Sequence, residues 1–150
     1  MENIQINDWR KGIGISLVQR PAEDILEKCI QADGGALNSM PMRELDESIV
    51  ALSNYYLFLK ATIGDLASRV QYINDLLDRK CSEAAAKMSG GHFLERKALA
   101  LSKDTSLDKM NDKLNEYRAK IQILEPLTDG IKMKLDVVRR IYDRRAREKQ

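Results

Sequence analysis

The residue types that do most protein chemistry are thinly spread in this chain. His92 is the only histidine, and the two cysteines, Cys29 and Cys81, stand 52 residues apart. A zinc site needs several closely spaced Cys or His ligands, and a nucleophile needs a neighbouring base to activate it. Neither pattern is present. Gly12-Ile13-Gly14 and Ser89-Gly90-Gly91 lack the Gly-Lys-Ser/Thr that completes a phosphate-cradling loop. The carboxylates scatter along helical patterns opposite the apolar stripes, as solvated charge does. No catalytic set, metal or cofactor is expected, and the chain reads as a non-enzyme. Both cysteines sit in helical patterns as small apolar fillers, which fits a reducing, cytoplasmic setting.

What remains is cationic. Residues 131–150 hold eight basic and three acidic side chains, a net +5 in a chain whose total is +2. This cluster contains Arg139, Arg140, Arg144 and Arg145, with Arg147 and Lys149 beyond them. Such cations oppose a helix dipole, pair with Glu44, Asp46 and Glu47 across a coil, or contact phosphates. The preference for arginine over lysine favours two-pronged pairing of either kind. A second cluster comprises Arg79, Lys80, Lys87, Arg96, Lys97 and Lys103, around the Ser-Gly-Gly turn. His92 and Phe93 lie among them and can stack on bases. Cations beside an aromatic platform suit binding of a single strand without sequence preference. The alternative is a plain solvated turn.

Long helices must position both clusters. The composition is 43% hydrophobic and 32% charged, with 3 prolines and 8 glycines, which is helical usage and excludes a disordered chain. From Pro41 to Met88 the apolar series is Leu45, Ile49, Leu52, Tyr56, Leu59, Ile63, Leu66, Val70, Ile73, Leu77. Its unbroken alternation of four and three is the coiled-coil rhythm. Such a helix reaches roughly 70 Å and needs a partner of similar length. The second series supplies it: Leu107, Met110, Leu114, Tyr117, Ile121, Leu124, then Thr128, Ile131, Leu135, Val138 and Tyr142. Pro126 and Gly130 interrupt it, so a kink is expected near residues 122–130. Asp104 or Thr105 caps its start.

Ahead of these, residues 1–20 read as a short extended arm, Pro21–Ala32 as a short helix and Asp33–Met40 as a linker. The expected fold is all-α: an arm and short helix over 1–40, then a long antiparallel helical hairpin over 41–150. Tyr55, Phe58, Leu76, Val137 and Ile141 lie beside the seams. Covering them calls for self-association, unless the N-terminal helix does so. Trp9 either packs on the hairpin or anchors a partner. No stretch is apolar enough to cross a membrane, and Met1–Asp8 has no basic or apolar block of a cleavable signal.

One order of segments carries a resemblance. It runs SNYYLFLKATIGDLASRVQYINDLLDRK, a turn MSGG, a restart KDTSLDKMNDKLNEYRAKIQILEPL and a basic end KLDVVRRIYDRR. Over residues 50 to 145 this layout resembles the UvsY-like recombination mediators of T-even-type phages. The resemblance implies a non-catalytic, ring-forming protein that binds single-stranded DNA. It would help a RecA-like recombinase replace a single-strand-binding protein, in the host cytoplasm if phage-encoded. The family's DNA-contacting stretch is basic and apolar and precedes the Ser-Gly turn. Here that place reads RKCSEAAAKMSGG, which keeps Arg79, Lys80 and Lys87 but is rich in alanine. The competing expectation is a virion or scaffold component that assembles through its coil without nucleic acid.

Overall fold

The computed structural model describes residues 23–148, and every regular element among them is an α-helix. The arm expected at residues 1–20, with Trp9, lies outside the described residues. The helices are α1 (Glu23–Gln31), α2 (Gly34–Ser39), α3 (Met42–Ala86), α4 (Phe93–Lys103) and α5 (Thr105–Glu148). Two compact units divide the chain: residues up to 63 together with 124–150, and residues 64–123.

In the first unit α3 packs against α5. Leu45, Leu52 and Leu59 of α3 share one core with Ile131, Leu135, Val138 and Ile141 of α5. The leucines recur every seven residues because seven residues are close to two helical turns, which keeps them on one face. Ile49 and Tyr56, the alternate seam positions, are half-buried against the same core. Thr128 is fully buried in the α5 seam, and its hydroxyl donates to the Leu124 carbonyl at 2.7 Å. That back-bond is how a polar side chain occupies an apolar seam without an orphaned group. α5 is unbroken across the exposed Pro126.

The N-terminal helices join this core. Leu26 and Cys29 of α1, three residues apart, are buried in it, while Ile25 and Ile30 are exposed. Asp33–Met40 is not a linker. Asp33 caps a helix by accepting from the Ala36 amide at 2.7 Å, and Leu37 is buried. The Gly-Gly pair signals a stop, but a cap immediately before it and a burial site three residues on outweigh glycine's entropy cost. Three of the five flanking residues belong to the same core as these two helices. Ile141 is core, and Tyr55 and Phe58 pack half-buried against it with ring centroids 6.2 Å apart. Val137 remains exposed.

In the second unit α3 and α5 are joined by α4. Ile73, Leu77 and Cys81 of α3 meet Leu107 and Leu114 of α5, with Leu101 of α4 against them. The buried stripe of α3 changes step here. After Leu66 and Ile73 it continues through Leu77, Cys81 and Ala85 at intervals of four, and Lys80 is exposed. Each step of four turns the stripe about 40° around the helix. It thereby turns toward the side where Asp78 meets Lys97 of α4 at 2.7 Å.

Leu52→Ala should lower stability by about 2–5 kcal/mol, whereas Val50→Ala, on an exposed position, should stay within about 0.5 kcal/mol. Thr128→Val should cost less than about 1 kcal/mol, because the Leu124 carbonyl keeps its helical partner when the hydroxyl goes. Urea unfolding of the three variants reads these differences.

Candidate nucleic-acid interface

The two basic clusters fall in different units, and each is built differently. In the second unit, α3 ends in a tightened turn: the Lys87 and Met88 amides donate to the Ala84 and Ala85 carbonyls, both at 3.2 Å. Gly90 and Gly91 then take φ of 83° and 70°, the left-handed region that side chains resist. His92, in extended backbone, starts α4, and the Glu95 carboxylate accepts from its amide at 3.1 Å. Sequence reasoning offered His92 as a stacking residue. Its backbone is what this helix start uses.

Arg96 and Lys97 are turned to internal tasks. Arg96 Nη1 donates to the Met88 carbonyl at 2.6 Å and so ties α4 back to the end of α3. Its Nε is buried and has no hydrogen-bond partner among the described residues. Lys97 is paired with Asp78. Both cations also lie over the Phe93 ring, at 5.7 Å and 5.3 Å from its centroid. Phe93 is 44% exposed and Leu94 76%. The turn therefore brings Phe93, Arg96 and Lys97 together. Arg79, Lys80, Lys87 and Lys103 stay exposed. Successive helical residues point about 100° apart, so Arg79 and Lys80 do not share a face.

Beside this turn is a surface hollow of about 320 Å³, with Asn74, Asp78, Cys81, Lys97, Asn111 and Arg118 in its wall. Arg118 Nη2 donates to Asn74 Oδ1 at 3.4 Å. Burial pushes the Cys81 thiol up from its ordinary value, Lys97 pulls it down, and Asp78 and Asp104 add to the rise. Sequence spacing did not reveal the Asp78–Lys97 pair, because its members are 19 residues apart on different helices.

In the first unit the arginines of α5 divide into two sets. Arg139 Nη2 donates to Ser53 Oγ at 3.3 Å. Arg145 Nη1 donates to the Met40 carbonyl, and Arg144 Nη2 to Asn38 Oδ1 at 2.7 Å. Two of the three acids expected to pair with these arginines are engaged elsewhere, Glu44 with Lys28 at 2.7 Å and Glu47 with Arg43 at 3.0 Å, and Arg144 Nε lies 4.0 Å from Glu148 of its own helix. Arg140, Arg144 and Arg147 recur at intervals of four and three on one face of α5. With Asp143 and Glu148 they line an open hollow of about 460 Å³. All three arginines are exposed.

Among the described residues no group of His, Cys, Asp and Glu is arranged to hold a metal, and no helix is long and apolar enough to cross a membrane. Comparison with family models, curated proteins and solved structures finds no match.

Arg96→Ala should destabilise the chain by about 1–3 kcal/mol in urea, since a charged donor to a carbonyl is lost. Lys87→Ala should not differ from the parent by more than about 0.5 kcal/mol. Cys81 gives a pH prediction. The folded thiol keeps its proton to higher pH than the unfolded one, so the stability it contributes is whole below the ordinary thiol value of about 8.5 and is lost as pH rises through the folded value. Stability measured from pH 7 to 10 should therefore fall more steeply for the parent chain than for Cys81→Ala.

Proposed function

We propose that this chain is a non-catalytic helical protein that binds single-stranded DNA through an exposed arginine face of α5. The observation that carries the reading is the spacing and exposure of Arg140, Arg144 and Arg147. Guanidinium groups in a row along one face match successive phosphates, and the +5 of residues 131–150 supplies the long-range attraction. The exposed Arg79, Lys80, Lys87 and Lys103, with Phe93, form a second contact in this reading. The stacking of a base on Phe93 is a smaller part of it, because Arg96 and Lys97 already lie over that ring.

The long helices form an antiparallel hairpin in this proposal. Support comes from Arg139 meeting Ser53 while Arg145 meets Met40: position rises along α5 as it falls in the opposing segment. Self-association would use Leu127, Met133 and Val137, large apolar side chains exposed on α5 in the first unit. From the resemblance to UvsY-like mediators comes the role itself. The chain would load a RecA-like recombinase onto a strand held by a single-strand-binding protein, in the cytoplasm, the host's if it is phage-encoded. The adaptor reading, assembly without nucleic acid, draws on a specific observation too: Arg96, Lys97, Arg144 and Arg145 all have partners within the chain.

Fluorescence anisotropy with an oligo(dT) of about 30 nucleotides separates the two. Binding at about 50 mM salt should weaken steeply as salt rises, with a log–log slope near −0.7 for each phosphate neutralised. Arg140→Ala with Arg147→Ala should flatten that slope by more than one unit, with unchanged helicity. A chain that shows no binding at low salt is an adaptor.

A further inference from the structure

The cations at the end of α5 also hold α1 and α2 in place. Arg144 reaches Asn38 of α2 at 2.7 Å, Arg145 the Met40 carbonyl just past α2, and Lys134 the Ala32 carbonyl just past α1. Each is a positive charge at the C-terminal end of a short helix, where the helix dipole is negative. α1 has 9 residues and α2 has 6, lengths at which an isolated helix does not persist in water. Their position rests on these cations, on the exposed Lys28–Glu44 pair, and on the burial of Leu26, Cys29, Leu37 and Met40.

The acceptors that α2 offers are neutral: an amide oxygen and a peptide carbonyl. A phosphate is a stronger partner for a guanidinium, being charged and able to accept two parallel bonds. Arg144 stands at the junction. It lines the hollow with Arg140 and Arg147, and it ties down Asn38. We infer that a polyanion and the N-terminal helices compete for Arg144 and Arg145, so that α1 and α2 are an autoinhibitory latch on the arginine face. The inference rests on the nucleic-acid reading above and adds its regulation. A strand that takes Arg144 frees Asn38 and loosens α2. Because α1 and α2 share one core, α1 loosens with it.

Cys29 of α1 is fully buried in that core and reports the opening. In the full chain carrying Cys81→Ala, Cys29 is the only thiol. Its rate of modification by a thiol reagent should rise about tenfold when an oligo(dT) of about 30 nucleotides is bound at about 50 mM salt. Asn38→Ala, which removes the acceptor and places a better helix former in α2, should raise the rate about tenfold without any oligonucleotide. It should also tighten oligo(dT) binding by about the same factor, with circular dichroism unchanged. The converse chain, Cys29→Ala, should modify Cys81 at the same rate with and without the strand. Binding by Asn38→Ala alone, with none by the parent, supports a closed latch. Equal affinities, with Cys29 no faster in the bound chain, overturn the latch while leaving the binding function standing. Acceleration of Cys81 equal to that of Cys29 also overturns it, since the opening is then general. If neither chain binds at low salt, the latch and the nucleic-acid reading fall together.

Discussion

A leucine at every seventh position of α3 has to be taken out of water, and the structure is arranged around that need. Leu45, Leu52, Leu59, Leu66 and Ile73 present a stripe far longer than any short element covers. Within each unit the residues that meet it come from α5: Ile131, Leu135, Val138 and Ile141 in the first, Leu107 and Leu114 in the second. The stripe also sets what is permitted elsewhere. The two buried polar side chains among the described residues find partners: the Thr128 hydroxyl donates to the Leu124 carbonyl and the Ser48 hydroxyl to the Met40 sulfur. Charge is driven to the outer faces, so a cationic surface on such a scaffold comes as a row along a helix.

A two-helix seam buries one stripe per helix and leaves the flanks. In the first unit the flanks are covered from the N-terminal side, by two helices too short to stand alone. Their core residues, Leu26, Cys29, Leu37 and Met40, supply the apolar contact, and α5 supplies charge at their carbonyl ends. In the second unit α4 does the covering. There the α3 stripe departs from the heptad after Ile73 and takes steps of four, because a third helix sits to one side of the seam. One sequence rhythm thus serves two packings, and the change of step marks the change of partner.

The long helices were legible in the sequence because their signal is repeated many times. Ten seam positions on α3 and eleven on α5 agree with one another, and Thr128 fell into the register despite being polar. What was not legible depended on single contacts between distant residues. Gly34-Gly35 carries a local stop signal, and only the Asp33 cap and the pocket that receives Leu37 turn it into a helix. Ile141 sits beside the heptad seam and reads as a flank, until α1 and α2 make that side interior. The site shows the same division. The clusters of cations were visible as composition, and their exposed members were found. That Arg96 holds the Met88 carbonyl, or that Lys97 lies on Asp78, follows from where α4 docks, which periodicity does not specify.

A surplus of arginine is therefore not one quantity. Along the last turns of α5, the exposed Arg139 finds a hydroxyl and the half-buried Arg145 a peptide carbonyl, while Arg140 and Arg147 line the open hollow. The acceptors of Arg139 and Arg145 are neutral, so these contacts themselves leave the guanidinium charge in place. Arg145, half-buried, contributes to the field at the outer face even while it holds the segment after α2, since its surroundings are less polarisable than water. Had α2 offered carboxylates instead, the same contacts would have been stronger and the face less positive. The choice of amide and carbonyl partners thus leaves the end of α5 basic while its cations hold the segment around α2.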